Sequence, residues 1–167
     1  MTSRPSAHTT PADHHTRADI GFAGLVSGAH VLSLKGEQPV EALGVGDHVL
    51  TRSAAVRIRH IDVVSVVVPT VYVIAGSLGH ARTDRDALLT ADQTVYLHDW
   101  RALALYGQHT ALARIGDLID GEFVRDLGQQ VVTVYRIFCA MPRMFYADGL
   151  EVGTADAVHR PLNRRAA

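Results

Sequence analysis

Cysteine is almost missing from this chain: Cys139 is the single one in 167 residues. An internal disulfide and a multi-cysteine metal site are therefore excluded. Lysine is equally scarce, with Lys35 alone among the 16 basic residues, so arginine carries the positive charge. Charge of either sign is not in excess. A formal net charge of −1 and an isoelectric point near 6.8 give no global pull toward nucleic acid or an anionic membrane surface. Long apolar runs are lacking too: the longest, residues 63–75, is broken by Ser65, Pro69 and Thr70. It falls short of the roughly 20 residues that cross a bilayer. Residues 1–19, MTSRPSAHTTPADHHTRAD, lack the apolar centre of a signal peptide. They read as a disordered tail, and the cytoplasm is the default compartment.

What the chain does have is β-strand signals separated by turns. Its length suits one domain, expected over residues 20–152, with a second tail over residues 153–167. Residues 28–52, GAHVLSLKGEQPVEALGVGDHVLTR, are the most informative stretch. They read as a strand, a tight turn at Lys35-Gly36-Glu37, a short amphipathic piece and a second strand from His48. Residues 56–68 start with alternation (Val56, Ile58) and become nearly continuous valine, which predicts one long strand passing into the core. Pro69 is expected to end or offset it, with a separate strand over residues 71–75. Further strands are expected at Leu88-Leu89, at Val95-Tyr96-Leu97, over residues 102–106 and over residues 131–140. A short helix or turn is expected over residues 113–119, and Trp100 is expected to anchor the core. Many short strands and little helix predict an all-β fold.

The order strand, then G-E-x-P-V-E-x-L-x-V-G-D-x-V-L resembles the opening of a Hint domain, the self-cleaving module shared by inteins and hedgehog proteins, in its bacterial stand-alone type. Trp100-Arg101-Ala102 with Leu105-Tyr106-Gly107, the later Leu118-Ile119-Asp120-Gly121 and the run Phe145 to Leu150 through Ala147-Asp148-Gly149 continue the likeness. The resemblance implies a flattened, horseshoe-like β fold with two pseudo-symmetric halves. It also implies an activity. A thiol or hydroxyl on the first residue attacks the preceding carbonyl, a histidine donates a proton to the departing nitrogen, and polar donors hold the strained carbonyl.

The residues at the implied positions do not suit that chemistry. Counting four back from Gly28 places the nucleophile at Gly24, which has no side chain. The T-x-x-H motif falls on Thr90-Ala91-Asp92-Gln93, with Gln93 in place of histidine; an amide hydrogen-bonds but transfers no proton near neutral pH. The late histidine falls on Pro142, or on Arg143 with a shift of one. The resulting expectation is a Hint-fold domain that is catalytically inactive and serves as a binding or structural module, with a peptide or protein in the former cleavage cleft. No cofactor, metal, nucleic acid or membrane is expected.

Other residues offer weaker chemistry. Ser27 is the nearest hydroxyl to position 24, and the competing expectation is a self-cleaving domain that uses it. Its odd offset puts it on the opposite strand face, and a turn serine is the simpler reading. Cys139 ends an apolar strand and reads as a small buried hydrophobe, with a trans-acting hydrolase as the weaker alternative. His98-Asp99 reads as a strand-to-turn boundary and not as a base with its orienter. His8, Asp13, His14 and His15 form a loose cluster without fixed geometry. His30, His48 and His60 lie on expected strands, where packing outweighs ligation. Arg57 and Arg59 read as a solvated face.

Overall fold

A computed structural model describes residues 22–78 and 85–158. Twelve strands and one α-helix are seen among the described residues: β1 (Leu25–Val26), β2 (His30–Ser33), β3 (Gly36–Pro39), β4 (His48–Leu50), β5 (Ala55–Arg57), β6 (His60–Val73), β7 (Ala87–Thr90), β8 (Thr94–Leu97), α1 (Trp100–Tyr106), β9 (Ala111–Arg114), β10 (Val124–Phe138), β11 (Met144–Ala147) and β12 (Leu150–Gly153). The expected all-β class is observed. Strands β1, β10, β6 and β7 close into a small barrel, and the others form an eight-stranded sheet in the order β5, β4, β2, β11, β12, β8, β9, with β3 paired on β2.

Alternation explains the buried sets. Val31 and Ser33 of β2, Val95 and Leu97 of β8, and Ala111 and Ala113 of β9 point inward, with partly or fully exposed residues between them. All but Ser33 share one hydrophobic core with Leu25, Val71, Leu89, Ile115, Phe145 and Val152. The tight turn expected at Lys35-Gly36-Glu37 falls one residue earlier, at Leu34-Lys35, and closes the β2–β3 hairpin, where Ser33 faces Gly36 in register. Gly36 there takes a φ of 95°, which L-residues with a Cβ resist.

Several expectations need correction. Pro69 does not end a strand: β6 runs through it to Val73, because β10 pairs with it throughout, with a register shift between Asp126 and Gly128. Residues 71–75 are therefore not a separate strand. The long strand expected from Val56 is instead broken at Ile58 and Arg59, between β5 and β6, and the expected passage into the core comes only toward the far end of β6, since Val63 and Val67 are 56% and 58% exposed while Val68, Val71 and Val73 are buried. Residues 102–106 form helix, not strand. Asp99 caps α1 by accepting from the Arg101 amide at 3.0 Å, and Gly107 closes it at a φ of 68°. With both ends satisfied, a run of Ala, Leu and Arg follows its helical preference. Trp100, at the first helical position, is 70% exposed and does not anchor the core, while Ala102 and Tyr106, four apart, face inward. The short helix or turn expected over residues 113–119 is a 3₁₀ turn, Ile115–Leu118.

No described helix is long and apolar enough to cross a membrane, and no described group of His, Cys, Asp or Glu is placed to hold a metal ion. The His8, Asp13, His14 and His15 cluster and both chain ends lie outside the described residues. Residues 154–157 are held in place: the Thr154 amide donates to the Arg143 carbonyl at 2.8 Å, and Thr94 Oγ1 donates to the Ala157 carbonyl at 3.1 Å.

Candidate functional site

Strand β1 brings its upstream neighbour Gly24 to the place where β7 ends and β10 passes. Leu25 stands opposite both Tyr135 of β10 and Leu89 of β7. Thr90, the last residue of β7, meets Gly24 directly: its Oγ1 accepts the Gly24 amide at 3.2 Å and donates to the Gly24 carbonyl at 3.3 Å. Both residues are buried. Two positions taken from separate motifs are thus adjacent in space.

The surroundings of Gly24 leave no room for a side chain. A Cβ built there would lie closer than 3.0 Å to Val134 Cγ1, with Arg136 Cγ and the Tyr135 carbonyl both at 3.1 Å. The glycine is therefore matched to a valine that fills the space any side chain at position 24 would need.

The peptide just before Gly24 is tied down on each side. The Phe22 amide donates to Asp92 Oδ2 at 2.9 Å, and Asp92 in turn pairs with Arg114 at 2.7 Å. Arg136 Nε donates to the Ala23 carbonyl at 3.2 Å. The same guanidinium lies 4.9 Å from the Phe22 ring centre and 5.5 Å from that of Phe138, a cation held between two aromatic faces. Asp92, Arg114 and Arg136 were not singled out from the sequence. Asp92 sits inside the T-x-x-H-like run, so its place was visible; Arg136 carried no signal, being one arginine within a strand.

Gln93 begins in the same turn, its amide donating to the Thr90 carbonyl at 3.0 Å. Its side chain turns elsewhere. Nε2 donates to the Gly153 carbonyl at 2.7 Å and to the Thr94 carbonyl at 3.0 Å, which uses both of its hydrogens. The Ala23-Gly24 peptide therefore receives nothing from it. The group is 1% exposed, and Oε1 has no hydrogen-bond partner. Pro142 and Arg143 lie on the exposed β10–β11 connection. Arg143 is bound through its backbone to Thr154, not to the Gly24 region.

Ser27 is exposed and engaged. Its hydroxyl donates to Glu41 Oε1 at 2.6 Å, and the Gly28 amide donates to the same oxygen at 2.5 Å. The Ser27 hydroxyl above all, with backbone amides, holds the Glu41 carboxyl below its usual range. The Ser27 amide donates to the Thr133 carbonyl and the Val26 carbonyl accepts from Ala29, so the bond before Ser27 is fixed in a strand end and a turn. Cys139 is buried, and burial first of all pushes its thiol up. Of the pair His98-Asp99, Asp99 serves as the helix cap, and the His98 ring lies 5.9 Å from that of Tyr96. His30 lies beside Asp148, with Nδ1 at 3.9 Å from Oδ1. Asp148 adopts a φ of 48°, and burial raises its carboxyl above the usual range.

The sequence pattern of the Hint domain family matches residues 23–157. The chain belongs to the Hint family. Its fold agrees with those of solved inteins. The DnaB intein of Synechocystis sp. PCC 6803 superposes with a TM-score of 0.55 at 8% identity, covering 79% of this chain and 98% of that one. The gp41-1 intein gives 0.52 at 10% identity, covering 78% and 98%. A bacterial intein-like domain from Clostridium thermocellum gives 0.53 at 14% identity, covering 84% and 100%. At these identities the likeness shows the fold. No curated protein matches. Within this Hint domain, Gly24 stands where the resemblance implies a nucleophile and Gln93 where it implies the acid.

Proposed function

We propose that this Hint domain no longer cleaves itself and instead keeps its upstream segment joined and bound in the former cleavage cleft. The observation that carries the reading is the packing at Gly24, where Val134 occupies the space that a cysteine or serine side chain would need. Loss of the nucleophile alone removes the acyl shift, and Gln93 supplies no proton in place of the acid, each loss being worth on the order of 10²-fold or more.

The binding role then falls first to the chain itself. Phe22, Ala23 and Gly24 lie on Asp92, Arg136 and Thr90, so a peptide arriving from outside would have to displace them. A partner protein would engage the segment ahead of Phe22 or a surface away from the cleft. Cleavage at Ser27 is disfavoured by the capture of its hydroxyl on Glu41 and of its amide on Thr133.

A reporter domain appended ahead of Met1 tests the proposal. The fusion should run as one species on a denaturing gel after long incubation with a strong thiol. Thiol-dependent release of the reporter from the unsubstituted chain would end it.

A further inference from the structure

The long β6–β10 ribbon has an edge that nothing described covers. Strand β6 pairs with β10 over its whole length but with β7 only from Thr70 to Val73. The direction of its backbone groups follows from two bonds. The Thr133 carbonyl accepts from Ser27 on the outer side of β10, so Thr133 and its partner Ser65 exchange no bonds with each other. In an antiparallel pair that leaves the Ser65 amide and carbonyl pointing away from β10. The Pro69 carbonyl, which accepts from Ala91 on that same side, fits the parity. Val63, Ser65 and Val67 therefore present free backbone groups at the open edge, among the described residues.

The sequence along that edge is a palindrome: Val63-Val64-Ser65-Val66-Val67. It carries no charge, and it lacks the lysine, proline or bulge that commonly blunts an exposed edge. Its limits are marked by Asp62, paired to His60 at 2.5 Å, and by Pro69, which has no amide to give. The side chains of Val63 and Val67 are 56% and 58% exposed, and the adjoining Val131 of β10 is 75% exposed.

We infer that this edge is an interface for a second copy of the chain, joined antiparallel about a twofold axis at Ser65. Ser65 then faces Ser65 of the other copy and Val63 faces Val67, each pair exchanging both backbone bonds. Valine meets valine on both faces, and no like charges oppose. The contact is isologous and consumes both β6 edges, so it closes as a dimer rather than growing into a fibre. Its short length places it among weak, concentration-dependent associations.

Sedimentation equilibrium over a wide concentration range tests this. The full chain should show a monomer–dimer equilibrium. Ser65→Pro deletes an amide that makes no internal bond, and should weaken dimerisation by about tenfold or more. Val63→Lys should also weaken it, and Val63→Lys combined with Val67→Glu should restore it at low salt, because the axis puts position 63 against position 67. Circular dichroism melts verify that each variant is folded. A monomer at every concentration, a dimer indifferent to Ser65→Pro and Val63→Lys, a failed charge-pair rescue or open-ended aggregation would each overturn the inference.

Discussion

Gly24 and Val134 should behave as a coupled pair. Gly24→Ala adds one carbon closer than 3.0 Å to Val134 Cγ1. Overpacking of this kind costs about 1–3 kcal/mol, offset in part by the roughly 0.4–1 kcal/mol that alanine contributes by restricting the unfolded chain. A net loss of about 1–2 kcal/mol results, which lowers Tm by roughly 3–8 °C in a domain of this size. Val134→Ala alone empties a buried position and costs roughly 1–3 kcal/mol. In the double variant, the new methyl at position 24 takes up part of the space that Val134 vacates. Arg136 Cγ and the Tyr135 carbonyl at 3.1 Å still crowd it, so the cancellation is partial. The double variant should be less destabilised than the sum of the two by about 1 kcal/mol or more, read from urea unfolding followed by circular dichroism. Strict additivity, within about 0.5 kcal/mol, would refute the claim that Val134 fills the space a side chain at position 24 would need.

Arg136→Ala and Asp92→Ala should each loosen the segment at Phe22 and Ala23, seen as faster hydrogen exchange at the amides of residues 22–24, while exchange in β8 and β12 stays slow. Cys139 should react with an aromatic disulfide reagent far more slowly in the native protein than in urea, because burial raises its thiol and blocks access. Asp148 has a folded pKa above its unfolded one. Its ionisation therefore opposes folding: the stability that it contributes is complete below the unfolded value of about 4 and is lost as pH rises through the folded value. Asp148→Asn, which keeps an acceptor for the His30 amide, should abolish that decline in a series of melts across acidic pH. Asp99→Ala removes the cap of α1 and should cost about 1 kcal/mol, read as a lower urea midpoint.

The turn chemistry was the most legible part of the chain. Gly36 and Gly46 take φ of 95° each, at turns that the glycine pattern of residues 28–52 already marked, and the strands at Val31, Val49, Leu89 and Val95 followed from alternation. The helix was missed because Ala102 to Tyr106 also alternates in size, and only the cap at Asp99 with Gly107 separates the two readings. Pro69 misled for a different reason. A proline ends a strand only when its missing amide is needed, and at an edge it is not. The juxtaposition of Gly24 with Thr90 was readable through the resemblance. What fills the cleft was not: Val134 lies 110 positions from Gly24 along the chain, and no local pattern shows that its methyl occupies that space. Arg136, likewise, gains its role from lying between Phe22 and Phe138, a relation created by the β1–β10 pairing.

The measurement that bears most directly on the proposed loss of self-cleavage is the intact mass of the purified chain after prolonged incubation, with and without a strong thiol. A single species at the full 18.1 kDa in both conditions is the expected result. A product beginning at Gly24, or one beginning at Ser27 and abolished by Ser27→Ala, would show that the cleft still cuts and would contradict the account.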